Sequence, residues 1–447
     1  MSYDLTPLMT APMLIGIVVA HLAFLLASQK MNPLYLLTAA FMVFAVLSTG
    51  PGFPGHIVAK YARVYCCVLI VVIGLLRMRT GPLRSTAKAM MALALIYLAS
   101  AFWCGSPLWA LGFKGFFFWT VLAGIVLAYD LRDPQELTRG IRLLSVVAGL
   151  GGVAIVVLAV TKPEFNLLAG RLAVASMCTN TVGANVAMGM LICSFLALYG
   201  RSVLWRSYAF ASAGLLAAII IWTGSRTSLI TVCVGLAIQG LLASRRRFAM
   251  LALVFTVIII PYFAIELLGA QAGVTRLITG ANTRFWVWAN AFRLTAEAPL
   301  MGHGWLASGG IYPAGVKIFN AHSSFFQALA ETGILGLMVF IPCALIIAHR
   351  TYLMVQAMRQ HSGQSYQAIL PLSLLIATSV GAMASSSTLL AVVSNTLFLG
   401  FAIGLVDRLP ELMLSEKQYA LLRLAYRRRL RRAWASWGLI RPATSKS

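Results

Sequence analysis

Residues Asn282–Gly336 read NTRFWVWANAFRLTAEAPLMGHGWLASGGIYPAGVKIFNAHSSFFQALAETGILG. This is the longest interruption in a sequence that otherwise passes from one apolar, membrane-length run to the next. It therefore separates the parts of the chain that lie in a bilayer from the part that can carry chemistry. Two short helices are predicted inside it. Thr283 caps the first, whose Phe285, Trp288 and Phe292 share one face, and Pro299 with Gly302 ends it. Arg284 then stands in its first turn. After a glycine-rich loop, Asn320 caps a second helix carrying Ala321, His322, Ser323, Phe325 and Phe326, which stops near Gly333. An arginine and a histidine, each beside the free N–H groups of a helix N-terminus, suit an anionic ligand such as a phosphate. The same residues also fit an amphipathic loop lying on the bilayer, with Trp286, Trp288 and Trp305 as interface anchors.

Outward from that stretch, composition sets the class. Of 447 residues, 60% are hydrophobic and only 10% charged, and the mean hydropathy is +0.87. The predicted fold class is an all-α polytopic integral membrane protein. Spans are read at 12–28, 33–49, 58–76, 86–104, 114–129, 141–161, 182–200, 207–223, 226–243, 248–268, 331–348, 367–386 and 390–407, which gives about 12–13 transmembrane helices. The chain divides into an N-terminal transmembrane bundle (1–268), a long loop (269–330), C-terminal transmembrane helices (331–407) and a basic amphipathic tail (408–447). No Lys or Arg precedes the first apolar run, so a cleavable signal peptide is not expected.

The formal net charge of +24 reports topology rather than nucleic-acid binding, because no soluble basic domain is present. Basic clusters at Arg77–Lys88, Arg132–Arg142, Arg201–Arg206, Arg245–Arg247 and Arg350–Arg359 alternate along the chain, as cytoplasmic loops require. The loops around Trp103–Lys114, Lys162–Thr181, Thr223–Thr227 and Gly269–Glu331 then face outward. In the tail, Leu422, Tyr426, Leu430, Trp434 and Trp437 recur at helical spacing opposite Arg427, Arg428, Arg431 and Arg432. That pattern fits a helix on an anionic membrane surface.

Chemistry on the outward side rests on few residues. The seven cysteines show no metal-ligand spacing; Cys104 and Cys178 share the outward side, and unpaired thiols are the favoured reading. Glu164, Glu266, Glu297 and Glu331 offer no pair spaced for a divalent ion or for two-carboxylate glycosidase chemistry. Arginine is more plentiful: Arg171, Arg226, Arg276, Arg284 and Arg293. Arg226 stands in TGSRTS, which joins two apolar runs with almost no loop and so holds a guanidinium at the membrane surface. It could snorkel there or cap a helix end. It is also well placed for a lipid-linked phosphate.

These blocks together resemble the bacterial O-antigen ligase and polymerase superfamily. The resemblance is carried by an Arg-bearing helix followed by APLMGHG (298–304), then AHSS (321–324) with ETGILG (331–336). GSRTSL (224–229) and GRLAVASMCTNTVGAN (170–185) add two upstream blocks, so the likeness spans about Arg171–Gly336 by motif and the whole chain by span pattern. It implies a transferase acting on undecaprenyl-diphosphate-linked glycans in the bacterial inner membrane, with 269–330 as a periplasmic catalytic loop and 408–447 as a cytoplasmic tail. His322 matches the catalytic histidine; Arg226 and Arg284, with Arg171 beside them, match the arginines that hold the diphosphate. His303, between two glycines where a small or apolar residue is common, is a possible substrate contact. Ser323 stands where Asn is common.

The resemblance implies inverting, metal-independent transfer at the periplasmic face, with no cofactor. The expected partners are the lipid-linked glycan, a glycan or lipid A core acceptor, membrane lipids and other polysaccharide export components, and no nucleic acid. A surface polysaccharide polymerase is the leading expectation and an O-antigen ligase the alternative. A transporter or flippase of lipid-linked glycans is the rival from another class, and it would call for paired halves with broken helices.

Overall fold

The computed structural model describes residues 32–47, 56–77, 84–104, 107–161, 167–168, 171–172, 179–241, 284–304, 323–360, 368–384, 394–414, 418 and 424. The predicted spans 12–28 and 248–268, the tail helix, the Asn320 cap, Trp305, Cys178, Arg276 and His322 lie outside these residues. Within them the chain is an all-α membrane protein. Its helices are α1 (Pro33–Leu47), α2 (His56–Arg77), α3 (Ser85–Ala99, continued by a 3₁₀ turn, Ser100–Trp103), α4 (Pro107–Tyr129), α5 (Pro134–Thr161), α6 (Thr179–Tyr199), α7 (Val203–Thr223), α8 (Arg226–Leu241), α9 (Arg284–Glu297), α10 (Ser324–Gln360), α11 (Ile369–Ala384) and α12 (Ser394–Met413). One small antiparallel hairpin, β1 (Leu167–Leu168) with β2 (Arg171–Leu172), interrupts the series. Among the described residues, five helical segments are long and apolar enough to cross a membrane: 85–103, 135–160, 182–199, 203–223 and 325–356.

A bilayer offers backbone groups no water, so each span closes its own hydrogen bonds as a helix. Association between spans then depends on close approach and buried polar contacts rather than on the hydrophobic effect. The α4–α12 contact shows the first device. A Cβ on Gly124 would stand 2.1 Å from the Leu397 carbonyl oxygen, and one on Gly400 only 2.3 Å from that of Val121. The second device joins α8, α6 and α11. Gln239 bonds Ser194 Oγ at 2.8 Å and Ser373 Oγ at 3.2 Å, with all three side chains buried.

The bundle has two distinct ends. At one, the buried carboxylate of Asp407 on α12 accepts from the Thr86 and Ala87 amides at 3.1 and 3.2 Å, from Thr86 Oγ1 at 2.7 Å and from Tyr129 OH at 3.2 Å. An α12 side chain thus caps the N-terminus of α3, where free N–H groups favour an anion. Arg350 Nε lies 3.8 Å away, and the Arg77–Asp130 pair closes the same end at 3.2 Å. Following the helices from this end places Ser100–Cys104, Pro107, β2, Gly224–Arg226, the 299–304 turn and Gly333 at the opposite end.

Three elements differ from their sequence outlines. α4 begins at Pro107, so Lys114 is a buried helical residue rather than the edge of an outward loop. α10 runs from Ser324 to Gln360 through a break at Gly333, far beyond the predicted 331–348. α12 continues past 407 to Met413 because its charged turn is satisfied by protein: Arg408 donates to Leu131 O at 3.0 Å and to Glu411 Oε2 at 3.3 Å.

Candidate active site

The α7–α8 connection is a two-residue turn, Gly224 and Ser225. Gly224 takes the left-handed conformation (φ 60°, ψ 27°) and its amide bonds Ile221 O at 2.8 Å, ending α7 as glycine commonly ends helices. Ser225 then opens α8. Its Oγ lies 3.4 Å from the Ser228 amide and 2.8 Å from Ser228 Oγ. Arg226 is therefore the first residue of α8 and is half-buried. α6 presses on this turn, and a Cβ on Gly183 would meet Ser228 Oγ at 2.6 Å.

Arg171 arrives from β2. Its Nη2 and Nε donate to the Thr223 carbonyl at 2.7 and 3.0 Å, so the guanidinium sits at the negative end of α7. Two arginines far apart in sequence, Arg171 and Arg226, thus meet on one turn. Part of the Arg171 donor set is spent on holding that turn.

The second candidate region is α9 with the turn that follows it. α9 forms where the spacing of its aromatic residues predicts, with Arg284 as its first residue. Trp288 stacks on Phe326 of α10 at 5.1 Å, and Phe292 meets the same ring edge-on at 5.1 Å. Val287 and Ala291 are buried beneath the contact. Arg293 and Glu297 are exposed on the other face.

After α9 the chain doubles back against the break in α10. At Gly333 the backbone takes φ 60° and ψ −154°, a combination essentially confined to glycine. The break releases two amides and two carbonyls from the helical ladder, and the 299–304 turn takes up all four. Ile334 N donates to Pro299 O at 2.8 Å and Leu335 N to Leu300 O at 3.1 Å, while His303 N donates to Ala330 O at 2.9 Å and Gly304 N to Glu331 O at 3.0 Å. Gly302 and Gly304 have φ values of 66° and 76°. Cβ atoms there would stand 2.6 Å from Ala330 O and 2.7 Å from Cys104 Cβ. The APLMGHG and ETGILG blocks are therefore two halves of one backbone fastening.

Beneath this fastening is a charged cluster that the sequence reading did not assemble. Lys114 on α4 and Glu331 on α10 are buried and paired at 3.0 Å. The Lys114 ammonium also donates to Ser100 Oγ and lies 3.9 Å from the centre of the Tyr97 ring. Glu331 Oε1 accepts from Gln327 Nε2 at 3.0 Å. Trp103 Nε1 donates to Met301 O at 2.9 Å. A lysine inside the apolar run GFKGFFFWTV was the available signal, since a charge in a span is expected to have a partner.

The remaining sequence candidates fall into place around these elements. His303 turns back toward α9, with Nε2 donating to Leu294 O at 2.9 Å and lying 3.9 Å from Glu297 Oε2. Its ring caps a helix end. Ser323, the residue after His322 in sequence, has a buried side chain, and its carbonyl accepts from Gln327 N at 3.0 Å.

The architecture is that of a multi-span membrane protein that carries Arg171 and Arg226 on one turn and a glycine-fastened segment at the same end of the bundle. Residues 211–341, a little under a third of the chain, match the family model described as O-antigen ligase, in line with the resemblance read from the sequence. The matched segment holds the Gly224 turn, α9, the 299–304 fastening and the Gly333 break. No curated protein matches the chain.

Proposed function

We propose that the protein transfers a glycan from undecaprenyl diphosphate to an acceptor hydroxyl at the periplasmic face of the inner membrane, as a polymerase of surface or exopolysaccharide repeats. The observation that carries this reading is the meeting of Arg171 and Arg226 on the Gly224 turn. It occurs at the bundle end that also holds the Gly333 break of α10; Arg226 and that break fall inside the segment matched to the O-antigen ligase family, and Arg171 lies upstream of it.

In this reading Arg226 and Arg284 bind the diphosphate, and their charge offsets the negative charge that develops as the lipid diphosphate leaves. Arg171 holds the turn and adds positive charge beside it. His322 takes the proton of the attacking hydroxyl, a task suited to a group that titrates near neutrality. The acceptor oxygen forms a bond to the anomeric carbon, the bond to the diphosphate oxygen breaks, and the configuration inverts. The donor already carries the leaving group, so no nucleotide is consumed. The donor reaches the site laterally from the bilayer, which suits a catalytic segment at the membrane surface.

The test is transfer in proteoliposomes, with undecaprenyl-diphosphate oligosaccharide alone and then with lipid A core added. Longer lipid-linked chains without core identify a polymerase, and core-dependent product identifies a ligase. The site assignment holds if Arg226→Ala, Arg284→Ala and His322→Ala each abolish the product. Equal product from all three would refute it. Absence of product with cognate donor and both acceptors would leave transport of lipid-linked glycan as the better reading.

A further inference from the structure

The reaction proposed above uses Arg226, Arg284 and His322, and it leaves the buried Lys114–Glu331 pair without a role. That pair is unusual for its position. Both side chains are almost completely inaccessible, at 1% and 0%, so neither touches a substrate. Each charge is nevertheless fully engaged: Lys114 by Glu331, Ser100 and the Tyr97 ring, and Glu331 by Lys114 and Gln327. Simple apolar packing would fill the same space without removing two charges from water, so the pair carries a geometric requirement rather than bulk stability.

That requirement is visible in the backbone. Glu331 is two residues before Gly333, where α10 breaks, and its own carbonyl accepts the Gly304 amide at 3.0 Å. Its side chain reaches α4 while its main chain holds the 299–304 turn. The break in α10 has no covalent reason to stay in one register, because the four bonds exchanged there are ordinary backbone bonds. The pair supplies a fixed point, since Glu331 meets Lys114 and Gln327 through its carboxylate and the Gly304 amide through its carbonyl.

We propose that Lys114 and Glu331 are positioning residues, and that their ion pair fixes the first turns of α10 against the Gly302–Gly304 turn, a register on which transfer depends. The proposal rests on the transferase reading given above. It assigns α4, outside the segment matched to the family, a part in the reaction geometry.

The test combines amide hydrogen exchange with kinetics on the full-length protein in nanodiscs and proteoliposomes. The variants are Lys114→Met, Glu331→Gln and the charge swap Lys114→Glu/Glu331→Lys. In Lys114→Met, peptides covering 298–304 and 328–336 should exchange at least about tenfold faster, while Thr86 and Ala87, bound to Asp407 at the other end, keep their wild-type rates. The kcat should fall at least about thirtyfold with the KM for lipid-linked donor within about threefold, and the swap should recover about a tenth or more of kcat. If Lys114→Met does not fold, Glu331→Gln, which keeps the side-chain shape and removes the charge, is read in its place.

Unchanged exchange at 298–304 and 328–336 would overturn the proposal, as would faster exchange with unchanged kcat. Faster exchange at both ends of the bundle, with activity lost in proportion to folded protein, would reduce the pair to a stability element. If wild type transfers to neither acceptor, the transferase reading fails and the kinetic half of the proposal with it. The exchange result still decides whether the pair fastens α10.

Discussion

Replacing Gly333 with alanine tests the fastening directly. The native φ of 60° with ψ of −154° strains any residue with a Cβ by about 1–3 kcal/mol. The added carbon also has no room: it would stand 2.6 Å from Leu300 O and 2.7 Å from Gly302 N. Both are backbone atoms of a turn that is itself held by four hydrogen bonds, so the contact cannot be relieved by rotating a side chain. Relief requires the turn to move away, which weakens the Ile334–Pro299 and Leu335–Leu300 bonds, each worth about 1 kcal/mol net. Together these effects disfavour the fastened arrangement by about 3–5 kcal/mol, which lowers the ratio of fastened to released forms by about a hundredfold to several thousandfold at 1.4 kcal/mol per factor of ten. Transfer in proteoliposomes should fall by more than about threefold and by up to that factor, and the 328–336 peptide should lose exchange protection by the full factor. Gly151→Ala in α5 is the control, because among the described residues no atom beyond its own stretch of helix lies within 4 Å of its added Cβ and its effect should stay within about 1 kcal/mol of wild type. If Gly333→Ala keeps transfer within about threefold of wild type and leaves exchange unaltered, the exchange of backbone bonds does not hold the site together.

Three further outcomes separate holding residues from reacting ones. Arg171→Ala removes both bonds to the Thr223 carbonyl and should raise the KM for lipid-linked donor by about tenfold or more; Arg171→Lys should recover only part of this, because one ammonium cannot reproduce the two-nitrogen contact. His303→Gln should keep kcat within about threefold, since its ring serves Leu294 O, whereas His322→Ala should lower kcat by about a hundredfold to ten-thousandfold, the ordinary contribution of a general base. Asp407→Asn should lower the thermal midpoint in detergent, with a cost of about 2–4 kcal/mol for weakening a buried carboxylate that serves two amides and two hydroxyls. Its kcat per folded molecule should remain that of wild type.

Much of the architecture was legible because bilayer physics is one-dimensional in sequence. An apolar run of membrane length closes its own hydrogen bonds whatever its neighbours do, so the described helices fall where the hydropathy places spans, while the ends of α4, α10 and α12 lie outside the predicted bounds. α9 was legible for the same local reason: Trp288 and Phe292 lie on one face, and that face meets Phe326. The two-residue Gly224–Ser225 turn could be read because so little sequence separates two spans. Contacts set by the fold alone were not legible. Lys114 and Glu331 are 217 residues apart, and hydropathy assigned both to outward loops because a charge marks the edge of an apolar run. Arg171 gave no sign that its donors would go to the carbonyls ending α7, and His303 none that its ring would turn back on α9.

The positions at which sequence pattern and structure coincide most closely are glycines, and this bears on what the signature blocks do. Gly302, Gly304 and Gly333 all take positive φ, and all three lie where a Cβ would strike backbone or a neighbouring helix. Their role is to let two segments approach closely enough to exchange four hydrogen bonds. They are conformational requirements and contribute no reactive group. A transferase that works at the membrane surface needs a polar segment held in register without burying open backbone in lipid. The paired 299–304 turn and α10 break meet that need by satisfying each other. The chemical burden in the proposed reaction then falls on Arg226, Arg284 and His322, all of which stand at or beside the starts of helices. Substitutions in the glycine blocks should therefore remove activity together with exchange protection, whereas substitutions at those three residues should remove activity and leave protection intact.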